Sequence, residues 1–123
     1  MSDLRPEILT WTGLLAQWIK FAQASLALPD DAEGPRWRAS VPAVITLQAV
    51  TFALAELDRL APSERALSLD KAEILIAENS ATLRAAWTGK TMPAALDEIV
   101  VDADSALDAA SLVWRKDAPP RIS

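Results

Sequence analysis

The 123-residue sequence contains no cysteine and no histidine. Zinc sites built from Cys and His ligands are therefore excluded, as are di-iron bundles that take ligands from Glu-x-x-His motifs. Catalytic Ser-His and Cys-His pairs are excluded for the same reason. Because a disulfide cannot form, cysteine usage carries no information about the redox compartment.

Basic residues and long apolar runs are also scarce. The chain has 12 Lys and Arg against 17 Asp and Glu, a net charge of −5, which disfavours binding to nucleic acid through a basic face. The longest apolar run, residues 41–47, is shorter than the roughly 20 residues that cross a bilayer. The N-terminal residues lack the basic stretch and apolar run of a signal peptide. We therefore expect a cytoplasmic protein that binds neither nucleic acid nor membrane.

What the sequence does contain favours helix. Hydrophobic residues make up 51% of the chain, alanine and leucine dominate, and there are only three glycines. Apolar residues recur at spacings of three and four in four segments. These segments predict helices over about Pro6–Leu28, Ser40–Leu60, Ser63–Thr88 and Pro93–Arg115.

Short links between three of these segments predict the fold. Helices joined this closely must turn back on their neighbours. We expect an all-α four-helix bundle, up-down-up-down and antiparallel, with a longer irregular link between helices 1 and 2. Residues 1–116 would form a single domain, and 117–123 a proline-containing tail. Helix 3 has a predicted core stripe of Leu69, Ala72, Ile76, Leu83 and Trp87. The cleanest stripe belongs to helix 4: Leu96, Ile99, Val100, Ala103, Leu107, Ala110 and Trp114.

A cluster of basic and aromatic residues precedes the predicted start of the second helix. Arg36, Trp37 and Arg38 lie just before Ser40, whose hydroxyl could cap the free N–H groups of that helix. Because a helix N-terminus favours anions and arginine suits phosphate or carboxylate, this corner is a candidate anion site. The alternative is structural: the arginines pair with nearby acids while Trp37 covers the end of the bundle. The acids concerned are Asp30, Asp31 and Glu33.

A second candidate site is acidic. Helical carboxylates can hold Mg²⁺ and, through it, a phosphate-bearing substrate. The candidate ligands lie on helices 3 and 4: Asp70, Glu73, Asp97, Asp104 and Asp108. The alternative is a solvated acidic face, which is the usual role of carboxylates on an amphipathic helix.

Two polar residues, Asn79 and Ser80, fall at or beside the predicted core stripe of helix 3. Buried polar groups need hydrogen-bond partners. They could contact a ligand within the bundle, but a role in fixing helix register is the favoured interpretation.

These observations favour a non-catalytic module for protein–protein interaction, with a homodimer as its expected form and no cofactor. The hypothesis predicts an exposed apolar patch on helix 1, formed by Trp11, Ile19 or Phe21. The alternative is a small binding protein, or an Mg²⁺-dependent hydrolase, for a phosphorylated or carboxylated small molecule. Whether the chain is an enzyme stays open, and the absence of histidine and cysteine weighs against it.

Overall fold

The computed structural model describes residues 10–26, 28 and 34–115, and within these ranges every regular element is helical. The predicted all-α class is therefore confirmed. The predicted tail, 117–123, lies outside the described residues. The helices are α1 (Trp11–Ser25), α2 (Pro35–Leu54), a short 3₁₀ helix (Leu57–Arg59), α3 (Pro62–Ala86) and α4 (Ala94–Trp114).

Helix α1 begins later and ends earlier than the sequence predicts. Thr10 has extended backbone angles, and its hydroxyl accepts a hydrogen bond from the backbone N–H of Gly13 at 3.2 Å. This is N-capping, which satisfies one of the free donors of the first turn. The predicted start at Pro6 lies outside the described residues, and the helix ends at Ser25.

Helix α2 begins five residues before the predicted start at Ser40. Gly34 has φ 95°, a conformation that glycine adopts without a steric penalty. Pro35 then occupies the first turn, where its missing N–H leaves no bond unmade. Arg36, Trp37 and Arg38 consequently belong to the helix rather than to the link before it. Ser40 is not a cap, because its hydroxyl donates to the Arg36 carbonyl at 2.7 Å.

The described core is centred on α2, which packs against each of the other three helices. Helices α3 and α4 also pack together, whereas α1 rests mainly on α2. The predicted stripe of α3 is buried throughout. In α4 the predicted positions Leu96, Val100, Ala103 and Ala110 are buried, and the other three are half-buried.

Contacts between helix ends hold α3 and α4 in place. The Arg65 guanidinium lies 4.5 Å from the ring centroid of Trp114, a cation–π arrangement. Arg65 also donates to the carbonyls of Leu57 and Asp58, at 3.2 and 3.1 Å. The start of α3 is thereby tied both to the end of α4 and to the 3₁₀ helix.

Helix α2 is also the one described helix that is long and apolar enough to cross a membrane. Its only charges, Arg36 and Arg38, lie in its first turn. The core helices of soluble proteins can have the same length and apolar composition, so this helix is weak evidence for a membrane span.

Candidate interaction surface

Three aromatic side chains meet at the surface between α1 and α2. Trp18 stacks on Phe52 with ring centroids 4.9 Å apart, and Phe21 meets both rings edge-on at 5.2 and 6.0 Å. Phe21 is 52% exposed and Phe52 is 40% exposed. We call these three residues the surface aromatic cluster. Its edge-to-face and stacked contacts are the favoured geometries for aromatic pairs, so the rings support one another while remaining open to solvent.

A carboxylate beneath the cluster fixes the indole. The Trp18 Nε1–H donates to Glu56, and Arg59 Nη1 donates to the same carboxylate at 3.2 Å. Gln17 completes the polar edge, since its side-chain oxygen accepts from Arg59 at 3.4 Å. Together with Phe21 these residues line a shallow cavity of about 170 Å³. The cluster therefore has a rigid apolar centre beside a polar rim.

Charge is distributed unevenly around this surface. Helix α1 contains one charged residue, Lys20, and α2 contains only Arg36 and Arg38, so neither helix carries an acid. Helix α4 carries five acids and no base. Helices α1 and α2 are consequently apolar and weakly basic, with Glu56 as an acid at the edge of their aromatic cluster, and α4 is strongly acidic.

The prediction of an apolar patch on helix 1 named some of its residues correctly and one wrongly. Phe21 is exposed and Ile19 is half-buried. Trp11 is 3% exposed and belongs to the core, so its place in the patch was wrong. Phe52 was missed, because an exposed phenylalanine on α2 contributes to the cluster only through contacts with residues more than 30 positions away.

The predicted anion corner is brought together at the other end of α2. Arg36 Nη1 donates to the carbonyls of Ala86 and Thr88, at 2.9 and 3.1 Å. These carbonyls lie at the C-terminal end of α3, where backbone acceptors lack helical partners. The guanidinium therefore closes the end of α3.

Two further members of that corner, Trp37 and Ser40, contact Trp87. The Trp87 Nε1–H donates to the buried Ser40 hydroxyl at 2.9 Å, and Trp37 meets the Trp87 ring edge-on at 5.3 Å. Arg38 is exposed. The acids proposed as alternative partners of the arginines lie outside the described residues. A cavity of about 210 Å³ remains, lined by Pro35, Arg36, Trp37, Trp87 and Lys90.

The predicted metal ligands do not converge. Arg115 lies 2.7 Å from Asp70 and 3.8 Å from Glu73, so these two carboxylates face a guanidinium. The three candidate ligands on α4 are exposed: Asp97, Asp104 and Asp108. Across residues 10–26, 28 and 34–115 there is no group of three acidic side chains placed to hold a metal ion.

The two polar residues beside the α3 stripe differ from each other. Asn79 is half-buried and its side-chain N–H donates to the Leu75 carbonyl at 2.8 Å. Ser80 is 4% exposed, and its hydroxyl has no hydrogen-bond partner among the described residues.

Compared with known proteins, the chain matches no family model, no curated protein and no solved structure. What it binds is therefore inferred from its own surface.

Proposed function

We propose that the protein is a non-catalytic interaction module that self-associates through the surface aromatic cluster. The observation that carries the proposal is the stacked, solvent-open arrangement of Trp18, Phe21 and Phe52 on two helices that contain no acid. Aromatic enrichment and charge depletion distinguish the centre of an interface from ordinary surface. The contact from Trp18 to Glu56 adds rigidity, which lowers the entropy lost on binding.

Sedimentation velocity over a range of concentrations tests this proposal. A glutamate in place of Phe21 would be desolvated in the contact, so we expect Phe21→Glu to weaken self-association about 30-fold or more, the effect of losing a hot spot of ~2 kcal/mol. Leu112→Glu is the matched control, because Leu112 is 74% exposed on α4, a helix with little or no contact with α1. Circular dichroism verifies that both variants fold. A wild-type chain that stays monomeric at millimolar concentration would refute the proposal.

The cavity beside Arg36 supports a second candidate function, the binding of a small phosphorylated or carboxylated molecule. Its walls combine two cations, Arg36 and Lys90, with the rings of Trp37 and Trp87. Arginine suits carboxylate and phosphate geometry. A thermal-shift screen with phosphorylated compounds, with and without Mg²⁺, tests it: a ligand at 100 times its Kd stabilises the fold by about 2.7 kcal/mol. No observation in the described residues favours the Mg²⁺-dependent hydrolase.

For the arrangement of the helices we propose an up-down-up-down antiparallel bundle with a longer link between α1 and α2. The Arg65–Trp114 contact, between the start of α3 and the end of α4, supports it. The contacts of α1 also support it. Gln17 contacts Arg59, whereas Phe21, later in α1, contacts Phe52, which precedes Arg59 in the sequence, as expected of antiparallel segments. The distance between spin labels attached at Ser63→Cys and Leu112→Cys tests this arrangement. If α3 and α4 are antiparallel, that distance should be well below the roughly 37 Å length of a 25-residue helix.

The proposed setting is the cytoplasm, without nucleic acid or membrane as a partner. The net charge of −5 supports the exclusion of nucleic acid, and the central packing position of α2 supports that of membrane. Co-sedimentation with vesicles of anionic and neutral lipid tests the second point: binding that Phe21→Glu abolishes would assign the cluster to membranes.

A further inference from the structure

The cavity between the start of α2 and the end of α3 has a size that restricts its ligand. Its volume is about 210 Å³, and it is the one lined by Pro35, Arg36, Trp37, Trp87 and Lys90. An apolar cavity of about 150 Å³ holds benzene, whereas pockets for larger ligands begin near about 300 Å³. The space therefore suits one aromatic ring with a small substituent, and most of a nucleotide would lie outside it.

Two indoles form the aromatic wall of this cavity. Trp87 is buried and held in place, because its Nε1–H donates to the Ser40 hydroxyl at 2.9 Å. The half-buried Trp37 ring meets Trp87 edge-on, with centroids 5.3 Å apart and ring planes at 85°. Aromatic rings attract one another in offset-stacked and edge-on contacts, and a ligand ring can make both kinds with two indoles set at this angle.

The Arg36 guanidinium offers a directed site for an anion. Its Nη1 donates to the carbonyls of Ala86 and Thr88 at 2.9 and 3.1 Å, which uses both hydrogens of that nitrogen. Its Nε–H and Nη2–H groups make no hydrogen bond with the described residues. These two groups form a planar fork that matches the two oxygens of a carboxylate. Because the carbonyl contacts hold the guanidinium, little entropy is lost when the fork is filled.

The charges nearby favour a ligand with a single negative charge. Lys90 adds a second cation to the lining of the cavity. The nearest acids along the described chain, Asp97 and Glu98, are exposed in the first turns of α4, and the whole chain carries −5. A phosphate monoester carries close to two negative charges at pH 7. An acidic protein repels it more strongly than it repels a carboxylate.

We infer that this cavity binds a small aromatic carboxylate, with the ring against Trp37 and Trp87 and the carboxylate on the free fork of Arg36. The inference rests on the second candidate function proposed above, anion binding beside Arg36, and names the class of ligand. A neutral ring leaves the fork unpaired, and a carboxylate without a ring leaves the indoles uncovered. Both should therefore bind more weakly than a molecule that combines the two groups.

Titrations followed by NMR test the ligand class with four probes. Benzoate has both groups, benzamide lacks the charge, acetate lacks the ring, and phenyl phosphate replaces the carboxylate. We expect benzoate to bind at least about tenfold more tightly than benzamide, the loss of one hydrogen bond to a charged group, and more tightly than acetate or phenyl phosphate. The chain has five tryptophans, and the indole N–H signals of Trp37 and Trp87 should shift while that of Trp18 should not.

A conservative pair of variants tests the fork. Arg36→Lys keeps the positive charge and a donor for the carbonyls of α3 but removes the planar fork, so benzoate should bind about tenfold more weakly or worse. Arg38→Lys is the matched control, because Arg38 is exposed and does not line the cavity, and it should leave the affinity unchanged. Circular dichroism verifies that both variants fold.

The outcomes separate this inference from the candidate function on which it rests. If phenyl phosphate binds at Trp37 and benzoate does not, anion binding stands and the ligand class is wrong. Equal losses in Arg36→Lys and Arg38→Lys would overturn the fork. Benzoate that binds Glu33→Gln but not the wild-type chain would show that a carboxylate of the chain itself fills the fork, which also overturns the inference. If no probe and no phosphorylated compound shifts these signals, both the inference and the candidate function are wrong.

Discussion

At the scale of single residues, two neighbouring arginines have opposite roles. Arg36 donates to two carbonyls at the end of α3, whereas Arg38 is exposed and makes no hydrogen bond or ion pair with the described residues. A hydrogen bond from a charged group contributes about 1.5–3 kcal/mol to stability. We therefore predict that Arg36→Met lowers the free energy of unfolding by about that amount, measured by urea titration followed by circular dichroism.

Arg38→Met is the control for that experiment, and it should change the free energy of unfolding by less than about 0.5 kcal/mol, as surface substitutions usually do. Both variants lose one positive charge, so the comparison isolates the hydrogen bonds. Equal effects from the two variants would contradict a capping role for Arg36. They would instead favour a shared electrostatic role for both arginines at the start of α2.

Two buried serines allow a similar comparison with one chemical change. The Ser40 hydroxyl accepts from the Trp87 indole at 2.9 Å, whereas the Ser80 hydroxyl has no partner within residues 10–26, 28 and 34–115. We predict that Ser40→Ala destabilises the fold by about 1–3 kcal/mol, because the buried indole N–H loses its acceptor. Ser80→Ala should be neutral or stabilising by up to about 1 kcal/mol, since alanine also has the higher helix propensity. Thermal unfolding measures both, and a loss of stability in Ser80→Ala would reveal an undetected partner for that hydroxyl.

At the scale of elements, α1 is less embedded than α2. It buries three residues, Trp11, Leu14 and Ala22, whereas α2 buries eight. Regions with few buried contacts open locally at lower free energy. We predict by hydrogen exchange and mass spectrometry that α1 exchanges faster than α2 in dilute solution, and that its protection rises with protein concentration as copies associate. Equal and concentration-independent protection of the two helices would contradict both the packing and the interface.

The elements also show which local signals could be interpreted without a structure. The stripes of α3 and α4 were predicted because their apolar spacing is regular and their ends are marked by Pro62, Gly89 and Pro93. The start of α2 was not predicted correctly, because Pro35 and Pro42 are each suited to the first turn of a helix. Ser40 as a cap, with Pro42 in the first turn, favoured the later start. The structure instead holds Pro42 inside the helix.

The candidate surface was predictable only in part. Sequence pattern indicated an exposed apolar patch on helix 1, including Phe21, because the apolar positions spread wider than one stripe. The stack of Trp18 on Phe52 and the bond from Trp18 to Glu56 join residues 34 and 38 positions apart. No local periodicity specifies such pairs, since they depend on how α1 is placed along α2.

At the scale of the whole molecule, the separation of apolar and acidic sides has a consequence for salt dependence. Two copies joined through the α1–α2 side keep the acids of α4 outside the contact, where their mutual repulsion acts through solvent. The Debye length falls from about 10 Å at 0.1 M to about 3 Å at 1 M ionic strength. Raising salt should therefore strengthen self-association severalfold. Sedimentation equilibrium at low and high NaCl measures the change in Kd.

A double variant, Asp104→Asn with Asp108→Asn, identifies the source of that salt effect. Both residues are exposed on α4, and the change reduces the net charge from −5 to −3. Weaker repulsion should tighten association at low salt and leave it unchanged at high salt, where the wild-type charges are already screened. Association that weakens as salt rises would point instead to ion pairs across the contact. Because α1 and α2 carry no acid, and Glu56 beside the cluster is already paired with Arg59, such pairs would contradict an apolar contact centred on the cluster.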